Sequence, residues 1–241
     1  MDLTFKVVIP ARMKSTRLPG KPLIDIAGKS MILRTFEQCA KAVAVDDICV
    51  LTEDEAIVAH CHEHRIPVER TSENCLTGTD RAAEYASKHN FDYYINVQGD
   101  EPLMNPEDIL KIIGAINENP EKIINGYCPI SSKEDFISTS VPKVVFAPNG
   151  RLLYMSRSCI PGNKSGDFDF GYRQVCVYGF PRKDLRRFAE QQEKTPLEQE
   201  EDIEILRFLE MGFDVQMIEL SSDSIAVDHP EDLDRVLARL C

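Results

Sequence analysis

An α/β fold, built on a mostly parallel sheet with helices on both faces, is predicted by three features of this sequence. Apolar β-type runs at residues 5–10, 47–51, 68–70, 93–97 and 123–129 alternate with segments of helical period at 31–42, 78–88 and 106–117. That alternation builds parallel strands joined by crossover helices. The run Tyr93-Tyr94-Ile95-Asn96-Val97 is nearly continuous in apolar character, as a central strand covered on both faces must be. No internal repeat or low-complexity linker divides the chain, so residues 1–241 are expected to form one continuous domain.

The first strand leads through a loop to helix 31–42, where Met31, Phe36, Cys39 and Ala40 supply an apolar stripe. Strand 47–51 follows, Thr52 to Asp54 reads as a helix N-cap, and Ile57, Val58 and Cys61 are expected in the core. A turn at 65–67 precedes the short strand 68–70, and Thr77-Gly78-Thr79-Asp80-Arg81 opens a helix ending near Lys88. Pro106 suits the first turn of the next helix. Residues 131–180 change character. Short β-type runs at 143–146, 152–155 and 173–178 are separated by Pro148-Asn149-Gly150 and a turn-rich stretch at 162–167, which reads as a β-rich lobe over the sheet. Helices at 183–193 and 198–211, a strand at 213–220 and a helix at 230–240 complete the expected order.

Composition narrows the function. With 28 Lys and Arg against 40 Asp and Glu, the formal net charge is −12, which argues against nucleic acid or an anionic membrane as partner. No stretch approaches the roughly 20 apolar residues of a bilayer span, and no signal-peptide pattern precedes the first strand, so a cytoplasmic protein is expected. Eight cysteines are scattered without a C-x-x-C pair, which indicates reduced, mostly buried thiols rather than a disulfide framework or zinc site. His60 and His64 are one helical turn apart, but no further ligand set with the usual spacing accompanies them.

Against this acidic background, Arg12, Lys14, Arg17 and Lys21 crowd the loop after the first strand, with no acidic residue from Leu3 to Ile24. A strand's carboxyl end in such a sheet is where anions bind. The loop is neither a G-x-x-x-x-G-K-[ST] phosphate loop nor a G-x-G-x-x-G turn. Side chains must therefore hold the anion, Arg12, Arg17 and Lys21 by charge-assisted hydrogen bonds, while Gly20 lets the backbone come close. Asp100 ends a central strand in Gln98-Gly99-Asp100-Glu101-Pro102, where a carboxylate can hold Mg²⁺ against phosphate oxygens; such an Asp also serves plain turns. Asp228, after Ile225-Ala226-Val227, is a second such carboxylate or a helix cap.

These residues bring a family into view. Val8-Ile9-Pro10-Ala11-Arg12 with Ser15-Thr16-Arg17-Leu18-Pro19-Gly20-Lys21-Pro22-Leu23, Thr77-Gly78-Thr79-Asp80-Arg81 and Asn96-Val97-Gln98-Gly99-Asp100-Glu101-Pro102 resemble the CMP-KDO synthetases, the 3-deoxy-manno-octulosonate (KDO) cytidylyltransferases. Leu153-Tyr154-Met155-Ser156-Arg157, Val177-Tyr178-Gly179-Phe180, Pro196-Leu197-Glu198 and Val227-Asp228-His229-Pro230-Glu231-Asp232-Leu233 extend the resemblance in order along essentially the whole chain.

The resemblance implies a Rossmann-like nucleotide-diphospho-sugar transferase sheet with an inserted dimerisation lobe. It also implies a reaction coupling CTP to an acidic deoxy-sugar with release of pyrophosphate, and a homodimer. On the matching positions, Arg12, Lys21, Asp100 and Asp228 would be catalytic, with Asp100 and Asp228 carrying Mg²⁺. Pro10, Ala11, Arg12, Arg17, Lys21, Thr77, Gly78, Thr79 and Arg81 would bind the nucleotide; Gln98, Arg157, Gln174, Tyr178, Glu201 and Glu204 would lie toward the sugar. Glu198, Glu200 and Asp202, in the same acidic run, read as helix-start residues favoured by the macrodipole. Two departures fall on the sugar side. Gln174-Val175-Cys176 stands where KDO-specific members show His-Leu-Gly, and Ile205 replaces a glutamine. They fit either a different acid, such as an amino-substituted KDO or a nine-carbon ulosonate, or neutral drift. A non-catalytic sugar-nucleotide-binding subunit is the alternative outside enzymes.

Overall fold

The structure, a computed structural model, describes residues 3–15 and 18–240, so Arg17 and Cys241 lie outside the described residues. In chain order the strands are β1 (Phe5–Pro10), β2 (Asp25–Ile26), β3 (Lys29–Ser30), β4 (Ile48–Thr52), β5 (Val68–Arg70), β6 (Tyr93–Val97), β7 (Ile123–Pro129), β8 (Lys143–Phe146), β9 (Leu152–Ser156), β10 (Tyr172–Pro181) and β11 (Val215–Glu219). The helices are α1 (Met31–Ala42), α2 (Glu55–Glu63), α3 (Gly78–Lys88), α4 (Pro106–Glu118), α5 (Lys133–Ile137), α6 (Arg182–Glu190), α7 (Pro196–Glu201), α8 (Ile205–Glu210) and α9 (Pro230–Leu240).

The main sheet runs β11-β7-β10-β6-β1-β4-β5. All neighbours in it are parallel except at β10, which is antiparallel to both β6 and β7. Alternation along β1 divides the core. Val7 and Ile9 face Ile32, Phe36, Ile57, Ile109 and Ile112 of α1, α2 and α4, whereas Val8 faces Ala82, Ala86, Leu185 and Phe208 on the side of α3, α6 and α8. Each large apolar side chain so buried contributes about 1.5–3 kcal/mol. Among the described residues, no helix is long and apolar enough to cross a membrane.

Two expectations change in detail. The β-type run at 173–178 is the middle of β10, which lies inside the main sheet, so α5, β8 and β9 are what project from residues 131–180. The helix expected over 198–211 breaks into α7 and α8, because Asp202 turns into the left-handed region at φ 50°. That break lets Glu201 and Glu204 serve different partners. The β2–β3 hairpin and α5 are too short to show a period in sequence.

The broken segment is held by a buried ion network. The Arg207 guanidinium, fully buried, forks onto both Glu198 oxygens at 2.6 and 2.7 Å, reaches Asp80 at 2.9 Å, and lies 3.9 Å above the Phe188 ring. It thereby ties α7 and α8 to the first turn of α3.

Candidate active site

Three chain segments meet at the carboxyl ends of β1 and β6. The basic loop leaves β1 and is pinned at 2.7 Å by the Met13 N–H, which donates to Asp54 Oδ2, and it closes through Gly20, whose N–H donates to the Met13 carbonyl at 3.2 Å. Asp54 does occupy the N-cap of α2, but its side chain holds the loop instead of capping the helix. Gly20 sits at φ 70°, a left-handed turn that sends Lys21 back over the sheet. At the end of β6, a Cβ on Gly99 would lie 2.8 Å from the Pro10 carbonyl oxygen, so only glycine lets the two strand ends approach. Asp100 follows. The Val227 N–H donates to the Asp100 carbonyl at 3.0 Å, which delivers the next residue, Asp228, to the same point.

Here Lys21 Nζ lies 2.6 Å from Asp100 Oδ2 and 3.2 Å from Asp228 Oδ1. Burial by itself would depress the Lys21 ammonium, but the two carboxylates outweigh it and the pKa is raised. At the N-terminus of α9 the amides of Asp228 and His229 donate to the Asp232 carboxylate. Two carboxylates aimed at one cationic atom, with no sulfur or imidazole ligand in the group, form a hard oxygen set of the kind Mg²⁺ takes.

This point lies in a cleft of about 1200 Å³. Pro10, Ala11, Arg12, Lys21, Thr77, Gly78, Arg81, Gln98, Arg157, Gln174, Tyr178 and Glu204 line it, with the Gln98 amide close against Gly78. Arg81, almost fully buried, donates to Thr71 Oγ1 at 2.7 Å and lies 2.5 Å from a Glu53 oxygen, so most of its guanidinium is committed to the protein. Thr77 caps α3 in a reciprocal box with Asp80.

Two expected site residues do not line the cleft, and a third lines it with its charge already used. Thr79 is fully buried and its hydroxyl donates to Glu204. Glu204 also accepts from the amides of Gly78 (3.2 Å) and Thr79 (2.8 Å), so it stabilises the start of α3. Burial nevertheless raises its pKa. Glu201 accepts from the Ser156 hydroxyl (2.6 Å), the Arg157 amide (2.8 Å) and the Tyr154 hydroxyl (3.3 Å). Burial works against the Glu201 carboxylate, and these bonds outweigh it, lowering its pKa. Glu201 positions Arg157 instead of facing the cleft. Ile205, expected beside the sugar, is buried in the core.

Three arginines at the cleft escaped the sequence reading. Arg173 lines it and donates to the carbonyls of Ser222 and Ser224; Arg235 and Arg239 of α9 line it one helical turn apart. That last pair was visible as basic residues at i and i+4 in an otherwise acidic tail. Glu101 is buried against Ser224, and burial beside Asp100 pushes its pKa up to about 7. Cys176 is a half-buried thiol whose pKa is raised by burial, a poor nucleophile. Elsewhere, ligand atoms of His60, Glu63 and His64 lie within 4.8 Å of one another at the C-terminal end of α2, outside the cleft lining, with the His60 ring bonded to Ser30.

A basic loop at the switch edge of a doubly wound sheet, faced by one carboxylate after β6 and another just before α9, defines a nucleotidyltransferase. Residues 6–219 match the family model described as cytidylyltransferase. A 3-deoxy-manno-octulosonate cytidylyltransferase of Geotalea uraniireducens is 40% identical, covering 99% of this chain and 99% of its own. The mitochondrial 3-deoxy-manno-octulosonate cytidylyltransferase of Arabidopsis thaliana is 38% identical, covering 95% of this chain and 80% of the relative. A solved structure of CMP:2-keto-3-deoxy-manno-octonic acid synthetase complexed with CTP superposes with a TM-score of 0.89 at 31% identity, covering 98% of each chain. The chain belongs to the cytidylyltransferase family.

Proposed function

We propose that this protein couples CTP to a 3-deoxy-2-ulosonic acid, KDO in the first instance, giving the CMP-sugar and pyrophosphate. The observation that carries the reading is the convergence of Asp100 and Asp228 on Lys21 beside the basic loop, in one cleft with Arg157 and Gln174. The names of the relatives support the nucleotide and the acid.

In this reading the anomeric hydroxyl of the acid attacks the α-phosphorus in line. An O–P bond forms as the bond to the bridging oxygen of pyrophosphate breaks, and the hydroxyl proton is released to solvent. The protein has mainly to align the partners and offset charge building on the phosphates. Arg12, with Arg17 and Lys21, holds the triphosphate, while Pro10, Ala11, Thr77, Gly78 and Arg81 surround the nucleoside. Asp100 and Asp228 would hold Mg²⁺, which when bound supplies Lewis-acid neutralisation of phosphate charge. Lys21 then turns from the carboxylates to the phosphates, a change its flexible stem permits. At the far end, Arg157 has spent its Nε, Nη1 and Nη2 on the carbonyls of Glu201, Thr139 and Asp202, one bond each. One proton on each terminal nitrogen remains, a pair suited to the sugar carboxylate. Gln98, Gln174 and Tyr178 face the sugar hydroxyls.

The lobe formed by α5, β8 and β9 is proposed as a homodimer contact, since Ile137, Leu153 and Phe170 are exposed within residues 131–180. Light scattering should then give twice 27.3 kDa; a mass of one chain would refute it. Free thiols at all seven described cysteines support a reducing compartment such as the cytoplasm.

Pyrophosphate release from CTP and Mg²⁺, with KDO, 8-amino-KDO and nine-carbon ulosonates as acceptors and UTP, GTP and ATP as competitors, tests the function. Release with CTP and at least one acid is expected. No release with any acid would overturn the reading.

A further inference from the structure

The acceptor end of the cleft contains a relay of neutral side chains whose polarity is set by the backbone. β7 and β10 slip register between Val175 and Tyr178, and the fully buried Asn125 fills the bulge. Its Nδ2 donates to the carbonyls of Val175 at 3.1 Å and Val177 at 2.9 Å. Carbonyl oxygens only accept, so the atom of Asn125 turned the other way must be its oxygen. That Oδ1 accepts from Gln174 Nε2 at 3.0 Å, and Nε2 also donates to the Tyr178 hydroxyl oxygen at 3.1 Å. Both amide hydrogens of Gln174 are thus spent on protein. Among the described residues its Oε1 has no hydrogen-bond partner, and Gln174 lines the cleft.

We propose that Asn125 is a positioning residue that locks Gln174 with its carbonyl oxygen toward the cleft, so that the accepted sugar must present a hydrogen-bond donor, a hydroxyl or an amino group, there. This rests on the cytidylyltransferase reading and deepens it to a rule for acceptor choice. A histidine at this position presents either a donor or an acceptor nitrogen according to its tautomer. The Asn125-locked amide presents only an acceptor. An acid lacking the matching donor leaves that oxygen unpaired in a desolvated site, and sites of this kind reject such analogues strongly. Neither Asn125 nor Gln174 carries a charge, so the rule operates without disturbing the phosphate end.

The test is steady-state pyrophosphate release by the full-length protein, with separate KM values for CTP and for a panel of the best acid and its single-deoxy analogues. For the wild type, one deoxy position is expected to stand out as poorly accepted. Gln174→Met, similar in length but without the amide, should raise the acid KM about tenfold, leave the CTP KM within about twofold, and accept that analogue nearly as well as the parent. Asn125→Leu, which releases the amide to flip, should erase the same preference; Asn125→Asp, protonated and still offering an oxygen to Gln174, should keep it. Thermal melts establish folding, and should Asn125→Leu fail to fold, Asn125→Asp carries the positioning test. An unchanged acid KM and analogue ranking in Gln174→Met overturns the donor rule, and a lost ranking in folded Asn125→Asp, or a retained one in folded Asn125→Leu, overturns the role of Asn125. A wild type that turns over no acid overturns the underlying function instead, so the two failures are distinguishable.

Discussion

Two groups of residues around the cleft treat charge in opposite ways. At the β1 end, Lys21, Asp100 and Asp228 are gathered from positions far apart in the chain and pair with one another where the cleft opens, so a ligand's phosphates and cation can exchange with those pairs. At the β10 end, Glu201, Glu204 and three donors of Arg157 are consumed by the protein itself, as are Arg207, Glu198 and Asp80 behind them. The lesson is that a charged side chain near a cleft is informative only after its partners are counted. In the proposed reading, electrostatics are kept available for the triphosphate, and rigidity and neutral hydrogen bonds govern the choice of acid.

The sharpest way to break this contrast is to unpair the second group. Arg207→Leu leaves Glu198 and Asp80 without their cation, and breaking one side of a buried pair costs about 3–5 kcal/mol. At about 2–4 °C per kcal/mol for a chain of this size, the melting midpoint should fall by roughly 10 °C, with little change in KM for CTP below the transition. An unchanged melt by calorimetry would remove the network from the account of stability. At the open end the effect should invert. Asp100→Asn and Asp228→Asn should each lower kcat by about a hundredfold or more, from lost electrostatic stabilisation, while the melt stays near wild type. Full pyrophosphate release by Asp100→Ala would exclude the carboxylate from the chemistry.

A third measurement concerns Glu101, which borders both ends. Its ordinary value of 4.5 is raised to about 7 by burial, so between those values the folded chain binds a proton that the unfolded chain has released. Stability from this group is therefore fully present below 4.5 and is lost as pH rises to about 7, by at most about 3 kcal/mol. Chemical denaturation of metal-free protein should show wild type losing ground to Glu101→Gln across that window; parallel pH profiles would contradict it. The smallest effect is expected for Glu201→Gln. It keeps one oxygen for Ser156 but weakens the hold on the Arg157 amide, which should raise the acid KM a few-fold, about 0.5–1.5 kcal/mol, without altering the CTP KM. Equal shifts in both KM values would show that the two ends are not separable.

Much of the open end was legible in residue order. Arg12, Lys21 and Asp100 each follow a strand whose apolar run is plain in sequence, and the strand's carboxyl end is where such sheets bind ligands. Of the two roles left open at Asp228, ligand or cap, the structure bears on the second: Asp232 accepts the amides of Asp228 and His229 at the start of α9. The closed end was not legible in the same way. Glu201 and Glu204 carry the same charge in the same acidic run, and nothing local indicates that one clasps Arg157 while the other starts α3. Asn125 gave no signal at all, because a polar residue within a strand shows its purpose only once the neighbouring strand is slipped against it.

By itself, then, the sequence determined the strand and helix order, the doubly wound sheet, the basic loop and the family, since these depend on periodicity, local charge and short motifs read along the chain. Tertiary structure decided which charges stay available and which are spent. The break at Asp202, the antiparallel entry of β10 into the sheet and the bulge filled by Asn125 arise from packing between distant segments, and hydrogen-bond partners separated by tens of residues leave no periodic trace.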